Sequence, residues 1–457
     1  MKSAGKILLV NPDWQGIRRQ KQAQFKRIWQ PLDLANAAAL LEEKHFTVRI
    51  LDNNVERVPP ESLGILAEGY DKVFVTSTPY DRWQCPSLDI GFFFDTARQI
   101  PPERLYLMGA HVTERPQTIL QKTRARAAIL GEPEQTILEL ALRDLGAQVP
   151  EEIAGIAFFK GSRMITTPAR ENLPNLDALP FPAYHLLPMD RYFYEFMGND
   201  FAILETSRGC PYRCSFCYLG MYGKVFRRKS LSRILEEMVW VKTQYHVKNI
   251  YFMDLEFGLD RDCLLSLCKE LTHRDMGIQW CCQTRVTDVD EEVLKWMKTA
   301  GCSLIHFGVE SGSDRILKQT GKGIKVSDCA KAIAMTRAAG IRTAVFMNFG
   351  FPGETKVDME DTIKLAVRLT PSYASFHLIV PFPGTKIALD ANIDSANLPS
   401  HLYPHYNKEH DLALLKRMLR KAYCRFYLRP QVLRDFAARN RGHYLNKVKL
   451  FFRLLTG

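Results

Sequence analysis

The sequence predicts an α/β protein with a doubly wound parallel sheet, then a partial (β/α)6 barrel, and finally a basic helical tail. Short buried apolar runs alternate with amphipathic helical stretches over residues 1–150 and again over residues 201–390. This alternation is typical of parallel strands joined by crossover helices. A proline-rich stretch at 173–188 lies between the two regions and is typical of a linker.

In the first region, residues 1–150, the apolar runs predict strands that are buried on both faces. Ligands of such sheets bind at the carboxyl ends of the strands, so the loops that follow the strands are candidate binding loops. The predicted strands are 7–10, 47–51, 72–76, 104–108 and 127–130, and the predicted helices are 32–43, 116–121 and 133–142. A hairpin at 155–167 and the proline-rich stretch fill residues 151–200.

The second region, residues 201–390, contains six predicted strands separated by helices, which indicates a barrel shorter than the eightfold one. A helical tail, residues 391–457, follows it. The predicted strands are 201–207, 248–253, 278–284, 303–309, 342–349 and 373–380, and the predicted helices are 231–245, 261–273, 291–300, 326–339 and 356–369.

Three cysteines follow the first barrel strand as Gly-Cys-Pro-Tyr-Arg-Cys-Ser-Phe-Cys, at Cys210, Cys214 and Cys217. Structural zinc sites are closed by four ligands, usually in two separated pairs, so this spacing suits an iron–sulfur cluster better. A disulfide loop is the alternative, but three cysteines cannot all pair and no fourth lies nearby. A four-iron cluster held by three cysteines leaves one iron open to a ligand that is not protein. The loop follows a strand at its carboxyl end, where barrel active sites form.

Polar residues lie near the carboxyl ends of several barrel strands, where a purely structural interior would be apolar. Burial of such groups without partners is costly, so the set favours a lumen that holds a polar ligand. Any single member could instead be a satisfied core residue. The set is Glu205, Asp254, Glu256, Gln283, Arg285, His306, Glu310, Asn348 and His377.

The Cys-x3-Cys-x2-Cys spacing, with Phe216 before the last cysteine, resembles the radical S-adenosylmethionine (radical SAM) enzymes. The resemblance implies a [4Fe–4S] cluster on Cys210, Cys214 and Cys217. In that family the open iron chelates the amino and carboxylate groups of SAM, and the reduced cluster cleaves SAM to a 5′-deoxyadenosyl radical. A small-molecule substrate and an external electron donor, such as flavodoxin or ferredoxin, are the implied partners.

The same resemblance implies SAM-binding roles along the barrel. The Phe216 backbone would contact the adenine. Asp254 and Glu256 stand in place of the family's glycine-glycine-glutamate motif, and the sequence does not choose between them for the SAM amino group. Gln283 and Arg285 would contact the ribose and carboxylate of SAM. Glu310 would lie near the ribose, and Asn348 belongs to the turn after the fifth strand.

The N-terminal region resembles the flavodoxin-like domain of the cobalamin-binding (class B) subgroup, through residues 31–35, 109–113 and 131–136. Cobalamin is thus an implied cofactor, and an apoprotein that keeps only the fold is the alternative. The histidine loop of cobalamin mutases does not occur in the sequence. We expect Arg82 or Trp83 beneath the cobalt, with interface packing as the alternative for Trp83. The implied corrin-binding residues are Gly109, His111, Thr113, Gly131 and Glu132, with His111 fixing the loop or corrin.

The resemblance implies C-methylation of an unactivated carbon in a specialised metabolite or lipid. The alternatives are radical rearrangement, sugar dehydration or oxidative cyclisation of the porphyrin-ester-cyclase type, and, more distantly, a non-enzymatic cobalamin binder. These alternatives differ in their products: methylation forms S-adenosylhomocysteine alongside 5′-deoxyadenosine, and the others form only 5′-deoxyadenosine.

Charge and composition predict location and further partners. The formal net charge is +12, and residues 408–457 carry 13 Lys/Arg against 3 Asp/Glu. Solvated helix faces are the simpler explanation, and an acidic substrate or an anionic membrane surface, met by the basic and apolar stretch 444–455, is the alternative. No nucleic-acid-binding module is recognisable, so nucleic acid is not an expected partner. Isolated cysteines and the lack of a secretory signal or long apolar run predict a cytoplasmic protein.

Overall fold

The computed structural model describes residues 4–14, 27–80, 83, 85–86, 90–143, 151–194, 196–390 and 410–430. The chain divides into two compact units. Unit one comprises Met1–Pro211, Cys217–Met253 and Phe382–Leu402, and unit two comprises Tyr212–Phe216, Asp254–Pro381 and Tyr403–Gly457. The domain boundaries expected near residues 150, 200 and 390 stay predictions.

The strands are close to those predicted from the sequence. They are β1 (Lys6–Asn11), β2 (Arg27–Ile28), β3 (Thr47–Asp52), β4 (Lys72–Thr76), β5 (Leu105–Met108), β6 (Ala127–Ile129), β7 (Ile156–Lys160), β8 (Arg163–Thr166), β9 (Phe193–Tyr194), β10 (Phe201–Leu204), β11 (Ser207–Arg208), β12 (Arg227–Arg228), β13 (Asn249–Phe252), β14 (Gln279–Thr284), β15 (Cys302–Glu310), β16 (Arg342–Phe349) and β17 (Tyr373–Leu378).

Six short helices of the described residues were not predicted from the sequence: α2, α3, α4, α5, α11 and α14. The helices are α1 (Leu32–Glu43), α2 (Asn53–Glu56), α3 (Pro60–Glu68), α4 (Gly91–Arg98), α5 (Ala110–Glu114), α6 (Pro116–Thr123), α7 (Glu134–Leu142), α8 (Leu231–Tyr245), α9 (Arg261–Arg274), α10 (Glu291–Thr299), α11 (Asp314–Gln319), α12 (Val326–Ala338), α13 (Lys356–Leu369), α14 (Lys386–Asp390) and α15 (Leu412–Tyr427).

Several helices begin where the sequence supplies a side chain that accepts a backbone N–H of the first turn. Such N-caps satisfy donors that have no partner inside the helix. The caps are Ser230 of α8, Asp260 of α9, Asp290 of α10, Thr355 of α13 and Asp411 of α15.

Unit one contains a seven-stranded sheet in the order β3-β1-β4-β5-β6-β7-β8. The first five of these strands are parallel, and their order is that of a flavodoxin-like doubly wound sheet. β7 and β8 extend the sheet as the predicted antiparallel hairpin. Residues 73–75 of β4 and 105–108 of β5 are 0% exposed. Their continuous apolar character follows from burial on both faces of the sheet.

The proline-rich stretch packs onto unit one through buried apolar side chains. Tyr184 is 0% exposed and its hydroxyl donates to the carbonyl of Ile203, while Leu176 and Leu179 are also buried. The amide of Ala183 donates to the carbonyl of Ala35 in α1 at 3.0 Å. β10 and β13 pair in parallel within the same unit.

Unit two contains four parallel strands, β14, β15, β16 and β17, each paired with the next. Helix α15 covers β17. The hydroxyl of Tyr427 donates to the carbonyl of Ala374 at 2.7 Å and accepts from its amide at 3.1 Å. Tyr423 makes the equivalent pair of bonds with Phe376. Two tyrosines one helical turn apart thus satisfy alternate backbone groups of this strand.

In the described ranges, no helix has the length and apolar character needed to cross a membrane. The predicted interfacial stretch 444–455 lies outside the described residues.

Candidate active site

The cysteine loop begins and ends at the short antiparallel pair β11–β12, in which Ser207 faces Arg228. Gly209, directly before Cys210, has φ +82°, and a Cβ there would lie 2.1 Å from the carbonyl oxygen of Val225. Only glycine therefore fits this position. The amide of Cys210 donates to the carbonyl of Gly223 at 3.3 Å, which fixes the start of the loop.

The three cysteines fit a cluster by the chemistry of their donor set. None is in a disulfide bond, and each is partly exposed. Three thiols in one short loop, none of them in a disulfide bond, are the donor set of an iron–sulfur cluster with an open iron. No group of three or more His, Cys, Asp or Glu side chains in the described part of the chain is arranged to hold a metal ion. The assignment of these cysteines as ligands therefore stays a prediction.

In unit two, the predicted residues Glu310 and Asn348 lie together with Lys322. The Lys322 ammonium donates to Oε1 of Glu310 at 2.9 Å, and the Asn348 amide donates to Oε2. Glu310 and Lys322 are both more than 90% buried. Glu310 also has φ +67°, an unusual conformation for a residue with a side chain and one that clusters at functional sites.

The backbone beside Glu310 leaves room for this ion pair. A Cβ on Gly308 would lie 2.4 Å from Oε1 of Glu310 and 2.6 Å from Nζ of Lys322. Lys322 was not predicted as a site residue from the sequence. Its signal is the Gly-Lys-Gly run at 321–323, because both glycines have positive φ and bring the lysine backbone into a tight turn.

Arg285 extends the same cluster. Its guanidinium lies over the ring of Tyr212, with 3.8 Å between Cζ and the ring centroid. Nη2 donates to the carbonyl of Lys322, and Nη1 lies 3.9 Å from Sγ of Cys214. Arg285 therefore contacts both Lys322 and Cys214, the second of the three cysteines.

Glu256 is buried below Arg285 and binds the end of β14. Its Oε1 accepts from the amide of Arg285 at 2.8 Å and from the hydroxyl of Thr284. Burial, with the nearby charge of Asp288, raises the pKa of Glu256 to about 8. Burial thus favours the protonated, neutral form of this carboxyl. Asp254 is fully buried, and its carbonyl accepts from the Gln283 side chain at 2.8 Å.

The remaining predicted residues of unit two lie at different depths. The Phe216 ring packs edge-on against Phe351 at 5.5 Å, and Nζ of Lys322 lies 5.9 Å from its centroid. His306 is buried and stacks on Phe346 at 5.6 Å, whereas His377 is exposed. Phe216 therefore belongs with the Lys322 group.

In unit one, three predicted corrin-binding residues, Gly109, Thr113 and Gly131, meet at the carboxyl ends of β5 and β6. Gly109 has φ +105°, and a Cβ there would lie 2.7 Å from Oγ of Ser77. The Thr113 hydroxyl donates to the Gly109 carbonyl at 3.0 Å and accepts from the Gly131 amide at 3.0 Å. Gly109 is therefore required because the loop after β5 packs closely against Ser77, and the Thr113 hydroxyl ties this loop to the loop after β6.

His111 and Trp83 are both held by Thr78, which follows β4. Nδ1 of His111 lies 2.9 Å from Oγ1 of Thr78, and the ring packs edge-on against Phe382 at 5.0 Å. The Trp83 indole donates to the Thr78 carbonyl at 3.3 Å and packs against Tyr222 at 4.8 Å between centroids. Arg82, the other residue predicted beneath the cobalt, lies outside the described residues.

A buried ion cluster in unit one surrounds Arg208, which is 0% exposed. Arg208 was not predicted as a site residue from the sequence. Its guanidinium donates to Glu205 and Glu134 at 2.6 Å and 2.7 Å, and also to Glu132. Arg227 adds a second cation to Glu132 at 3.0 Å. Burial raises the pKa of Glu134. Burial also acts to raise the pKa of Glu205, but the charges of Arg208 and Lys229 and the hydrogen bonds from Arg208 and Tyr80 together lower it.

This cluster gives Glu205 and Glu132 structural partners. Glu205 also accepts from Tyr80 at 2.7 Å and from Asn36 at 3.2 Å, so it is a satisfied buried residue and not a free group in a lumen. Both oxygens of Glu132 are engaged, since Oε2 also accepts from the amide of Leu173 at 3.2 Å. Its predicted contact with the corrin stays untested.

Comparisons with known proteins agree with this architecture. The sequence profile of the radical SAM superfamily matches residues 204–366. An uncharacterised methyltransferase of Pyrococcus horikoshii is 31% identical over 451 residues, which cover 94% of each chain. The anaerobic magnesium-protoporphyrin IX monomethyl ester cyclase of Cereibacter sphaeroides is 25% identical over 84% of this chain and 63% of the cyclase.

Among solved structures, the radical SAM methyltransferase TsrM of Kitasatospora setae, with cobalamin and a [4Fe–4S] cluster bound, has the same fold. Its TM-score is 0.68 at 19% identity, over 85% of this chain and 75% of TsrM. The flavodoxin-like sheet, the superfamily match and a relative of this identity over nearly the full length together show that the chain belongs to the cobalamin-binding (class B) family of radical SAM enzymes.

Proposed function

We propose that this protein transfers a methyl group to an unactivated carbon of a small-molecule substrate, a specialised metabolite or a lipid. The observation that carries the proposal is the relative at 31% identity over 94% of both chains, which is named a methyltransferase. The proposal also rests on two candidate cofactor sites in one chain, the three-cysteine loop and the loops that follow β5 and β6.

Cys210, Cys214 and Cys217 would hold a [4Fe–4S] cluster, and the edge formed by Gly109, His111, Thr113 and Gly131 would hold cobalamin. When bound, these groups supply the reducing electron and the transferable methyl group, which no side chain provides. The chain's own contribution is to bind, orient and exclude water. The loops at Gly109 and Gly131 would contact the corrin edge. Arg82 or Trp83 would be the residue nearest the cobalt.

Glu310, Lys322 and Asn348 would bind SAM. A carboxylate oxygen retains acceptor capacity after one hydrogen bond, so Glu310 can still accept from a ribose hydroxyl while Lys322 and Asn348 hold it in place. Lys322 neutralises the charge that burial would otherwise penalise. The Phe216 backbone would meet the adenine, Gln283 the ribose, and Asp254 or Glu256 the amino group.

The test is product analysis after anaerobic reconstitution. The purified chain with iron, sulfide, hydroxocobalamin, SAM and a chemical reductant should show the absorption of both cofactors and form 5′-deoxyadenosine. With a substrate that the enzyme methylates, S-adenosylhomocysteine should form in addition. Cys214→Ala should lose both the cluster absorption and 5′-deoxyadenosine. Cys85→Ala, which removes an exposed cysteine outside the loop, should keep both. Full 5′-deoxyadenosine formation by Cys214→Ala would refute the proposal.

Oxidative cyclisation is a second candidate, because the cyclase of Cereibacter sphaeroides is a relative over 84% of this chain. Its signature is 5′-deoxyadenosine without S-adenosylhomocysteine in the presence of the true substrate. The same assay therefore separates the two functions. For either function we propose a flavodoxin or ferredoxin as electron donor and a cytoplasmic location, with the basic tail as the segment that would contact a membrane surface.

A further inference from the structure

We infer that Arg285 sets the reduction potential of the cluster by donating a hydrogen bond to the sulfur of Cys214. The inference rests on the proposed function, because it takes Cys214 as a cluster ligand. It replaces the expectation that Arg285 binds the ribose or carboxylate of SAM.

The guanidinium of Arg285 is fixed from three sides. Tyr212 lies beneath its plane at 3.8 Å, Nη2 donates to the Lys322 carbonyl, and Nη1 points to Sγ of Cys214 at 3.9 Å. The side chain is 5% exposed. Because guanidinium is a rigid planar fork, the aromatic face and the carbonyl bond together determine where Nη1 lies. The contact with sulfur is thus built into the fold of unit two.

The charge of Arg285 is not neutralised by an ion pair among the described residues. The carboxyl of Glu256 contacts Arg285 through the backbone amide and not through the guanidinium. Nε of Arg285 is buried and without a hydrogen-bond partner in the described part of the chain. A buried, unpaired cation therefore stands beside the sulfur of one predicted ligand.

Reduction of the cluster adds one electron, and no bond to the protein forms or breaks. A cation and an N–H donor at a ligand sulfur stabilise the added negative charge, so they raise the reduction potential. Two nitrogens of the guanidinium already donate within the protein. Nη2 donates to the Lys322 carbonyl, and Nη1 donates to the Cys214 sulfur. In this geometry Arg285 therefore raises the reduction potential of the cluster and does not bind the carboxylate of SAM.

The test is a redox titration of the reconstituted cluster, followed by electron paramagnetic resonance without SAM. Arg285→Met keeps the length of the side chain but removes charge and donors. We expect its one-electron reduction to be at least tenfold less favourable, which is about 59 mV more negative for one electron. Arg285→Lys keeps the charge and should shift the potential less. Tyr212→Phe keeps the ring face beneath the guanidinium and should leave the potential unchanged.

Iron content and the dissociation constant of SAM are measured on the same samples. Wild-type potentials in Arg285→Met and Arg285→Lys, with weaker SAM binding, would overturn the inference and return Arg285 to the SAM carboxylate. If Arg285→Met does not assemble a cluster, the inference is tested by Arg285→Lys alone, whose reduction potential should be more negative than that of the wild type. A wild-type chain that takes up no iron would refute the proposed function instead, so the two failures are distinguishable.

Discussion

Replacement of Arg208 with methionine should destabilise unit one strongly, because it leaves buried carboxylates without their cation. Arg208 is 0% exposed and binds Glu132, Glu134 and Glu205, whose side chains are 8%, 2% and 1% exposed. Removal of one partner of a buried ion pair costs about 3–5 kcal/mol. Since domains are stable by about 5–15 kcal/mol, the loss is a large part of the total. Glu132 keeps Arg227, so Glu134 and Glu205 account for most of the cost.

Urea unfolding followed by circular dichroism measures this loss. The matched control is Arg98→Met, which breaks the pair with Asp95 in which both side chains are more than 60% exposed. Exposed pairs contribute about 0–1 kcal/mol, so the control should unfold almost like the wild type. Equal midpoints for Arg208→Met and Arg98→Met at pH 7 would refute the reasoning.

The pH dependence of the Arg208→Met defect gives a second check. Without the arginine, the pKa of Glu134, already raised by burial, rises further. A carboxyl whose pKa is raised by folding stabilises the protein below its unfolded pKa, here about 4.5, and loses that contribution as pH rises through the folded value. The defect should therefore be small below pH 4.5 and grow towards neutral pH. A defect that is constant with pH would indicate lost packing and not unpaired charge.

Two further predictions concern single buried groups. Burial, with the charge of Glu134, raises the pKa of Asp33 to about 8 from an ordinary 3.8, so the wild type should lose stability between these pH values. Asp33→Asn removes this titration and should gain up to about 4 kcal/mol at pH 7 and nothing at pH 3.5, measured by urea unfolding; an unchanged pH profile would contradict it. Tyr427→Phe loses two bonds to Ala374, worth about 1–3 kcal/mol together, and should speed hydrogen exchange at that amide, while unchanged exchange would show that α15 does not protect β17.

The sheets could be predicted from the sequence because parallel strands buried on both faces must be apolar throughout. All five predicted strands of the first region and all six of the second are present. The six short helices α2, α3, α4, α5, α11 and α14 were missed because they are only four to nine residues long. Helical periodicity needs a longer window to stand out.

The candidate sites were less predictable where they depend on residues far apart in the chain. Glu310 and Asn348 were predicted from their positions at strand ends. The Gly-Lys-Gly turn that brings Lys322 to Glu310 was not predicted. Glu132 is acidic and follows a strand, which predicts a ligand contact. The sequence does not reveal that Arg208, 76 residues later, binds it. Spacing identifies a loop that is continuous in sequence, such as that of the three cysteines, and misses charge pairs set by topology.

The position of Arg208 gives the ion cluster a functional consequence. It directly precedes Gly209 and Cys210, and its partner Glu132 directly follows Gly131 of the predicted corrin edge. One buried cation within unit one thus joins the start of the cysteine loop to the loop after β6. If both loops hold cofactors as proposed, Arg208→Met should lower the iron and cobalamin content of the purified chain together. Arg285→Met lies in unit two and should leave the cobalamin content unchanged. A loss of iron alone in Arg208→Met would mean that Glu132 and Gly131 keep their positions without the arginine, and that Arg227 is sufficient to hold them.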